Sequence, residues 1–285
     1  MQTVITKTDY NFKDLKSKYE GKVRDVYTLN SNNIIVIATD RISAFDVIMP
    51  RGIKYKGQIL NQIAVEMLYK TKDIVNNWLI SSPDPNVSYG KKCKPLKIEM
   101  VVRGYLSGHS FRLYKSGLRN ICGNIVPEKM NENDKFNEPI VTPTTKADIG
   151  NHDQDISPSE ILSSNLILVD TKYEFGLDSE NNIILIDEIH TPDSSRYFYA
   201  DSYDYYQANK LKQKQLSKEF FREWLMENDF QGLEGQNIPN ISDQTVELIS
   251  NRYVELYEKL MNKKFVKDST IDVDKRIKSN LSNFL

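Results

Sequence analysis

Three charged side chains alternate along one stretch of the chain, and a fourth follows nearby: Asp170, Lys172 and Glu174, then Asp187. Side chains of a β-strand alternate between its two faces, so the first three are expected on one face. Charges that are buried together cost free energy unless they meet partners. Two carboxylates beside a cation, here Glu174 and Asp187 beside Lys172, are typical of a site that holds Mg2+ next to substrate phosphates, because Mg2+ takes few protein ligands and keeps several waters.

The elements that must position these side chains are two apolar runs, residues 166–169 and 183–186, with a polar segment rich in Asn, Asp and Ser between them. This pattern predicts a buried antiparallel hairpin. If the turn centres near residues 179 and 180, Lys172 lies opposite Asp187, with Cβ atoms roughly 5 Å apart. A structural ladder of ion pairs explains the same spacing equally well, since charge clusters are often only structural.

The charge balance and the apolar runs of the chain exclude several classes of protein. The 285 residues contain 38 Lys and Arg against 39 Asp and Glu, so the chain lacks the basic excess of a nonspecific nucleic-acid binder. No apolar run approaches the ~20 residues needed to cross a membrane, and no basic-then-apolar leader is seen, so we expect no membrane association. The two cysteines, Cys93 and Cys122, favour a cytoplasmic protein with reduced thiols and form no zinc-binding spacing with the three His residues.

Other charged residues lie just before or just after predicted strands, and the ends of strands are where a rigid scaffold commonly presents chemistry. Gly21 and Lys22 could bring backbone amides and a cation to a phosphate, although a single glycine more often marks an ordinary turn. Asp40 and Arg41 follow the buried run IIVIA and suit a local salt bridge equally well. Arg103 ends a strand-like run and precedes a Gly, Ser and Gly turn, a combination that suits a carboxylate or a phosphate.

The rest of the pattern predicts the elements that surround these residues. The predicted elements are a first hairpin at 19–29 and 34–38, helices at 57–71, at 218–225 and after Ser242, and loops at 81–95 and 127–157. Apolar residues spaced by three and four predict the helices, and Ser242 is a typical helix cap. Clusters of Pro, Gly, Asn and Asp predict the loops, the first of them also as a lobe boundary.

Seven blocks of sequence occur in the order in which one known family carries them. They are GKVRDVY from residue 21, TDRISAFDVIMP from 39, VVRGYLSG from 101, TPTTKA from 142, HDQDIS from 152, LVDTKYEFG from 168 and LIDEIHTPDSSRY from 185. Together with SKEFFREWL from residue 217, they span most of the chain. The chain strongly resembles the phosphoribosylaminoimidazole-succinocarboxamide synthase (SAICAR synthetase) family.

This resemblance implies an enzyme of de novo purine biosynthesis that joins the carboxylate of carboxyaminoimidazole ribotide (CAIR) to the amine of L-aspartate. ATP and Mg2+ are the implied cofactors, ATP being cleaved to ADP and phosphate, and no oligomeric state is indicated. A carboxylate is a poor electrophile, and phosphorylation to an acyl phosphate turns its oxygen into a good leaving group before the amine attacks. Phosphoryl transfer of this kind depends mostly on positioning and charge neutralisation, so no covalent nucleophile is needed.

The resemblance also implies roles for individual residues. The predicted contacts of the ATP phosphates are Gly21, Lys22, Arg24 and Lys146. The predicted catalytic residues are Lys172, Glu174 and Asp187, of which the two carboxylates would hold Mg2+ and the lysine would steady the transferred phosphoryl group. The predicted contacts of the substrate carboxylate and phosphate groups are Arg103, Ser110, Arg196 and Arg222, with Asp40 and Asp153 as further polar ligands.

The fold implied by the resemblance is α+β, with two sheet lobes clasping ATP as in ATP-grasp enzymes and with C-terminal helices. We expect a nucleotide-binding lobe at 1–95 and a central lobe at 96–210 with the ATP, Mg2+ and substrate residues. A helical segment at 211–285 is expected to pack on the central lobe.

The chain departs from the family pattern at three places. The family usually has Gly-Ser where this chain has Gly108, His109 and Ser110, so the phosphate contact of that serine passes to Ser110 or is altered by His109. His190 replaces a residue that is usually aliphatic, which we interpret as a tolerated substitution. The eight residues 157–164 leave too little chain for the amphipathic helix that the family has there. We therefore expect a trimmed lobe, or a chain break or disordered segment near residues 161–165.

Two other functions stay open. A small-molecule kinase of related fold would stop at phosphoryl transfer and would not need the amine substrate. A nucleotide-binding regulatory module would have lost catalysis, but such a module does not require Lys172, Glu174 and Asp187 together.

Overall fold

The computed structural model describes residues 4–145, 165–267 and 272–284. Its helices are α1 Lys56–Lys70, α2 Gly108–Lys115, α3 Ala200–Ala208, α4 Glu219–Glu227, α5 Asp243–Met261 and α6 Val273–Asn280. Its strands are β1 Leu15–Glu20, β2 Arg24–Leu29, β3 Asn33–Ala38, β4 Ser43–Ala44, β5 Val47–Ile48, β6 Leu79–Asp84, β7 Val87–Lys91, β8 Lys94–Tyr105, β9 Asn120–Ile121, β10 Asn124–Ile125, β11 Lys135–Thr145, β12 Leu166–Leu177, β13 Ile183–Ile186, β14 Ser195–Tyr199 and β15 Gln215–Leu216.

Two larger antiparallel sheets, two short two-stranded sheets and a set of helices build the described part of the chain. The first sheet has five strands in the order β1-β2-β3-β7-β6. The second has the order β11-β8-β12-β14-β15, with β13 paired to β12 as well. The prediction of an α+β fold with sheets in two lobes and C-terminal helices is confirmed. Within the described residues, no helix is long and apolar enough to cross a membrane.

β13 and β14 pair with different halves of β12 and leave a gap between them. β14 pairs with the first half of β12, up to Thr171, whereas β13 pairs with the second half, from Glu174. The connection between β13 and β14, residues 187–194, therefore leaves the sheet beside Lys172. The amide of Lys172 still donates to the carbonyl of Ser194 at 2.9 Å, which fixes the connection against the strand.

Two of the apolar clusters in the described residues join the sheets to each other and to the helices. One lies between the sheets and includes Val36, Trp78 and Leu185, so the two lobes share a core. A second packs α1, α4 and α5 against Leu166 and Tyr197 of the second sheet. Because each cluster removes large side chains from water, each contributes substantially to the stability of the fold.

α6 differs from the expected packing of the C-terminal segment. Its residue Ile277 and the following Leu281 are fully buried in the core of the first sheet, not on the central lobe. Arg276 of α6 donates to both carboxylate oxygens of Asp84 at 3.0 Å, a bidentate pair that fixes the helix on β6. The prediction that the segment packs on the central lobe is therefore wrong for α6.

Two predicted loops contain strands. Residues 81–95 include most of β6 and all of β7, and residues 127–157 include β11, which pairs with β8 at Lys135 and over 140–145. β6 and β11 each lie at one edge of their sheet, and an edge strand tolerates proline because one side of its backbone needs no partner. The predicted first hairpin is a three-stranded unit, since residues 19–29 contain the end of β1, a turn and β2. The helices predicted at 57–71, 218–225 and after Ser242 correspond to α1, α4 and α5.

Candidate active site

A row of three charged residues crosses the centre of the second sheet. Asp170 of β12 is the register partner of Arg103 on β8 and of Arg196 on β14. Asp170 Oδ2 accepts from Arg103 Nη1 at 3.0 Å, and Asp170 Oδ1 lies 3.7 Å from Arg196 Nε. One buried carboxylate thus holds two guanidinium groups side by side, and the row keeps a net positive charge that suits an anionic ligand.

The turn before α2 supplies a hydroxyl group to this row. Arg196 Nη1 donates to Ser107 Oγ at 2.6 Å, whereas the buried Ser110 donates its hydroxyl back to the carbonyl of Ser107 at 2.8 Å. The structure therefore places Ser107, which the sequence analysis missed, beside Arg196, and it turns Ser110 away. Ser107 could have been identified from the sequence, because it directly precedes Gly108 at the start of a helix. His109 is exposed.

α4 adds Arg222 to the same region. Arg222 Nη1 lies 3.0 Å from Glu219 Oε2, and Glu219 Oε2 lies 4.0 Å from Arg196 Nη2. These side chains border a pocket. The pocket is lined by Asp170, the turn at 192–196, residues 217–219 and Arg222. The structure thus brings together the predicted substrate residues Arg103, Arg196 and Arg222. It also adds Glu219, which the sequence analysis did not single out.

Lys172 lies two residues after Asp170 on β12, so the two side chains share one face of the strand, about 7 Å apart. Its ammonium group contacts Glu174, Glu99 Oε1 at 3.4 Å and Asp187 Oδ2 at 3.9 Å. Burial lowers the pKa of Lys172, but the three carboxylates raise it more, so the net pKa is above the ordinary value. Glu99 was missed, although it stands on the same face of β8 as Arg103 and opposite Glu174.

Arg24 of the first sheet closes this cluster from the other lobe. It forms ion pairs with Asp187 and, at 2.6 Å, with Glu188 Oε1. Burial raises the pKa of Asp187, but Arg24 and Lys172 outweigh burial and hold that pKa below its ordinary value. Asp187 is therefore ionised at neutral pH, as a metal ligand or a partner of a cation must be.

The predicted register of the hairpin is wrong by one residue. Glu174 pairs with Ile186, so the strands are related about residue 180 and pairing ends before Asp187. The cause is the turn, in which Asp178 Oδ1 accepts the amides of Glu180 and Asn182, each at 2.9 Å, and Asn181 takes a positive φ of 64°. Asp187 itself has φ 66°, which turns its carboxylate toward Lys172 despite the shifted register.

Glu174 and Asp187 could hold a divalent cation. Their side chains are within hydrogen-bonding reach of each other, and both are partly accessible, at 10% and 23% of the side-chain surface. No group of three or more His, Cys, Asp or Glu side chains that could hold a metal occurs in the described ranges. Two carboxylates completed by ligand oxygens and water suit Mg2+, which seldom takes an all-protein cage.

The turn that carries Gly21 and Lys22 is fixed from beneath by Arg41. Arg41 donates to the carbonyls of Gly21 and Lys22 at 2.8 and 3.2 Å and pairs with Asp25 at 2.6 Å. The ammonium group of Lys22 is half-exposed and pairs with the exposed Asp46. Arg41 thus pairs with Asp25 and not with its neighbour in sequence, and the turn is held rigid while Lys22 reaches solvent.

Asp40 does not join the charged row. Its buried carboxylate accepts the amide of Gly57 at 2.9 Å and the amide of Ile5 at 2.8 Å. Burial raises the pKa of Asp40 to about 6, and the two amides act against that shift. Because an α-helix begins with unpaired amides, Asp40 caps α1 from a neighbouring strand end. The predicted site residues Lys146 and Asp153 lie outside the described residues.

His190 is a buried histidine close to the candidate site. Its Nε2 lies 3.2 Å from the hydroxyl of Tyr173, and its Nδ1 has no hydrogen-bond partner within the described part of the chain. Burial lowers the pKa of His190 to about 4, so the ring is neutral near pH 7.

Replacing His190 with Leu is expected to flatten the dependence of folding stability on pH. The unfolded histidine has a pKa of ~6.5, so between about pH 4 and 6.5 the unfolded chain binds more protons and stability rises with pH. The stabilisation is complete above about pH 6.5 and is lost as the pH falls toward 4, a difference of ~3 kcal/mol. Urea unfolding of the parent and of His190→Leu at several pH values between about 4 and 6.5 measures this difference in the free energy of unfolding. The pKa of the exposed His109 is also lowered, so His109→Leu should flatten the slope, but much less than His190→Leu does. A parental slope in His190→Leu would contradict the assignment.

Comparison with known proteins decides the family. A family model described as SAICAR synthetase matches residues 17–167 and 161–237. The phosphoribosylaminoimidazole-succinocarboxamide synthase of Flavobacterium psychrophilum is 52% identical over 310 aligned positions, which cover 99% of this chain and 98% of that protein. The chain belongs to the SAICAR synthetase family. The predicted resemblance and the prediction of an enzyme are therefore confirmed.

Other members of the SAICAR synthetase family agree in sequence and in fold. The protein of the same name from Bacteroides thetaiotaomicron is also 52% identical, over 99% of this chain and 98% of that one. A solved structure described as the SAICAR synthase of Saccharomyces cerevisiae complexed with SAICAR has a TM-score of 0.72 and 30% sequence identity. That match covers 92% of this chain and 99% of the yeast chain.

This member of the SAICAR synthetase family lacks residues that its relatives have. The alignment with the Flavobacterium psychrophilum protein has 310 positions against 285 residues, so at least 25 positions have no residue of this chain. The family model matches in two segments that meet at residues 161–167. The trimmed lobe predicted from the sequence falls in this region. Residues 161–164, on which the predicted break falls, lie outside the described residues.

Proposed function

We propose that this protein is an ATP-dependent ligase that joins CAIR and L-aspartate to give SAICAR, ADP and phosphate in de novo purine biosynthesis. One observation carries the proposal: β12 presents Asp170, with its two arginines, and Lys172, with its carboxylates, about 7 Å apart on one face. A site for an anionic substrate thus adjoins a site for phosphate and metal. Transfer of a phosphoryl group onto a carboxylate requires that adjacency.

On the nucleotide side, we assign the ATP phosphates to Lys172 and Arg24, with Gly21, Lys22 and Lys146 as further contacts. Mg2+ is assigned to Glu174 and Asp187, where a bound divalent cation supplies neutralisation of phosphate charge. Lys172 is held among three carboxylates, which keeps its ammonium group charged and in place. It can therefore stabilise the phosphoryl group as negative charge redistributes during transfer.

On the substrate side, we assign the ribotide phosphate and carboxylate to Arg103, Arg196, Arg222 and the serines at the start of α2. Ser107 is the better serine candidate, because its hydroxyl contacts Arg196 whereas that of Ser110 bonds inward. For Asp40 we propose a role in holding α1, since both oxygens accept backbone amides. Asp153 stays a proposed ligand from the sequence alone.

The reaction we propose has two steps. A CAIR carboxylate oxygen attacks the γ-phosphorus of ATP, and the bond to the β-phosphate oxygen breaks, which gives an acyl phosphate and ADP. The neutral amine of aspartate then attacks the acyl carbon, the bond from that carbon to the phosphate oxygen breaks, and phosphate and the proton from nitrogen leave as the amide forms. The residues of the chain position the reactants and neutralise charge, so none of them forms a covalent bond.

ADP release by the purified protein with Mg-ATP and CAIR, with and without L-aspartate, tests this proposal. Aspartate-dependent ADP release with formation of SAICAR is the expected result. ADP release that does not need aspartate would replace the ligase with a kinase. Nucleotide binding without turnover would favour a regulatory module.

We further propose that the sequence-based division at residues 95 and 210 corresponds to functional lobes and that the protein acts in the cytoplasm. Residues of β2 and of the turn before it would then bind ATP from the first lobe, and residues of β8, β12 and β14 would bind substrate from the second. α4 would complete the pocket with Arg222.

Replacing Gly108 with Ala is expected to weaken CAIR binding about 10-fold and to lower the free energy of unfolding by ~1 kcal/mol. Gly108 has φ 57°, and a Cβ atom there would lie 2.5 Å from Arg196 Nη2. Because that atom ends a flexible side chain, Arg196 would move and lose its place beside Ser107, which corresponds to ~1.5 kcal/mol of charge-assisted hydrogen bonding.

Gly117→Ala is the matched control for Gly108→Ala. Gly117 also has a positive φ, 101°, but nothing lies within 4 Å of its Cβ position. Both variants carry the ~1 kcal/mol cost of an alanine in a left-handed conformation. Only Gly108→Ala should raise the KM for CAIR in steady-state assays, and equal KM values in the two variants would remove Arg196 from the substrate site.

A further inference from the structure

A fully buried lysine lies beneath the pocket. Lys56, the first residue of α1, has no exposed side-chain surface, and its Nζ lies 3.0 Å from Asp193 Oδ2. The Asp193 side chain is 4% exposed and belongs to the turn that carries Arg196. A buried ion pair rarely stabilises a fold more than apolar side chains of the same size would, so its presence here calls for another explanation.

The other acidic groups near Lys56 already have partners. Glu188 pairs with Arg24 at 2.6 Å, and both oxygens of Asp40 accept backbone amides. Asp193 is thus the carboxylate that Lys56 contacts directly. The second Asp193 oxygen, Oδ1, accepts the hydroxyl of the buried Tyr253 at 2.6 Å. Lys56 and Tyr253 hold Asp193 from the interior side.

Asp193 has a second lysine on the pocket side. Lys218 Nζ lies 3.5 Å from the same oxygen, Asp193 Oδ2, that Lys56 contacts. Lys218 is 14% exposed and lines the pocket together with Arg196 and Arg222. Burial raises the pKa of Asp193, but the two lysines and the tyrosine hold it well below the ordinary value, so the carboxylate is ionised. One negative charge is therefore shared by two positive charges.

We propose that Lys56 is a positioning residue that acts through Asp193 to keep the ammonium charge of Lys218 available to an anionic substrate group. Lys56 neutralises Asp193 from below, so Lys218 supplies a surplus positive charge to the pocket. Without Lys56, the buried carboxylate draws Lys218 in as its remaining ion-pair partner, and the pocket loses that charge. The identity of the anionic group rests on the function proposed above. The charge balance among Lys56, Asp193 and Lys218 is independent of that function.

The test compares Lys56→Met with the double variant Lys56→Met/Asp193→Asn. We expect Lys56→Met to raise the KM for CAIR or for L-aspartate about 10-fold with a smaller change in kcat. The double variant removes both charges and releases Lys218, so its KM should return to within about 3-fold of the parental value. Unfolding midpoints establish that each variant is folded. If Lys56→Met does not fold, the double variant decides alone, because it contains no unpaired buried charge.

A chemical readout separates this proposal from the proposed function. Acetylation of the free protein by an acyl ester, followed by mass spectrometry, should modify Lys218 several-fold more slowly in Lys56→Met than in the parent or the double variant. Lys212, which is 67% exposed, serves as the internal reference. Parental reactivity of Lys218 in Lys56→Met, or a double variant as impaired as the single one, would overturn the proposal. Absence of SAICAR formation by the parent would overturn only the proposed function.

Discussion

Replacing Asp187 with Asn should lower kcat about 1,000-fold while the protein stays folded. Asparagine has the same shape but no charge, so the pair with Glu174 would lose half of its negative charge toward Mg2+, and Lys172 and Arg24 would lose a partner. Loss of one preorganised electrostatic contact in an active site commonly costs 100-fold to 1,000-fold in kcat, and a metal ligand lies at the upper end of that range. Arg24 keeps Glu188, which limits the damage to the fold.

Steady-state rates at several Mg2+ concentrations measure this effect. Asp243→Asn is the matched control. Asp243, the first residue of α5, is an exposed carboxylate that pairs with Arg51 at 2.6 Å, away from β12. Its kcat should equal that of the parent. A folded Asp187→Asn protein with kcat within a few-fold of the parent would show that Lys172, Glu174 and Asp187 are a structural ladder of ion pairs.

Replacing Arg196 with Lys should lower kcat/KM for CAIR about 100-fold. Arg196 directs its guanidinium group toward three partners at once: Ser107, Asp170 and Glu219. A lysine keeps the charge but has neither the planar fork nor the reach to hold these positions together with a ligand. The loss of two charge-assisted hydrogen bonds corresponds to ~3 kcal/mol.

The matched control for Arg196→Lys is Arg252→Lys on α5. Arg252 also contacts a tyrosine hydroxyl and a glutamate, at 3.3 and 3.5 Å, but it lies outside the charged row. Its kcat/KM should stay within about 2-fold of the parental value. If Arg196→Lys behaves in the same way, the substrate site does not include the row formed by Arg103, Asp170 and Arg196.

The central part of the candidate site could be predicted because it lies on a buried strand. The alternation along β12 and the acidic end of β13 correctly indicate that Lys172, Glu174 and Asp187 lie together. The register of the hairpin could not be predicted, because it depends on how the side chain of Asp178 organises the turn. Shifting the centre of a turn by half a residue changes every cross-strand pair.

The local sequence pattern could not predict the edge strands or the ion pairs between residues far apart in the chain. β6 and β11 contain prolines and polar residues, which an edge position tolerates and which therefore resemble a loop in the sequence. The Lys56–Asp193 pair joins residues 137 positions apart, and nothing near either residue in the sequence indicates the other. Glu99 could have been predicted from the alternation of side chains along β8, since it lies on the same face as Arg103.

The position of α6 bears on the order in which the protein can fold during synthesis. The core of the first sheet contains Ile5, Tyr10 and Phe12 from the beginning of the chain and Ile277 and Leu281 from its last residues. A ribosome therefore releases the strands of this sheet long before the helix that covers them has been made. Contacts at such separation close slowly, and strands left uncovered meanwhile expose apolar surface. The first sheet is thus made well before α6, and its core is complete only after α6 has been made.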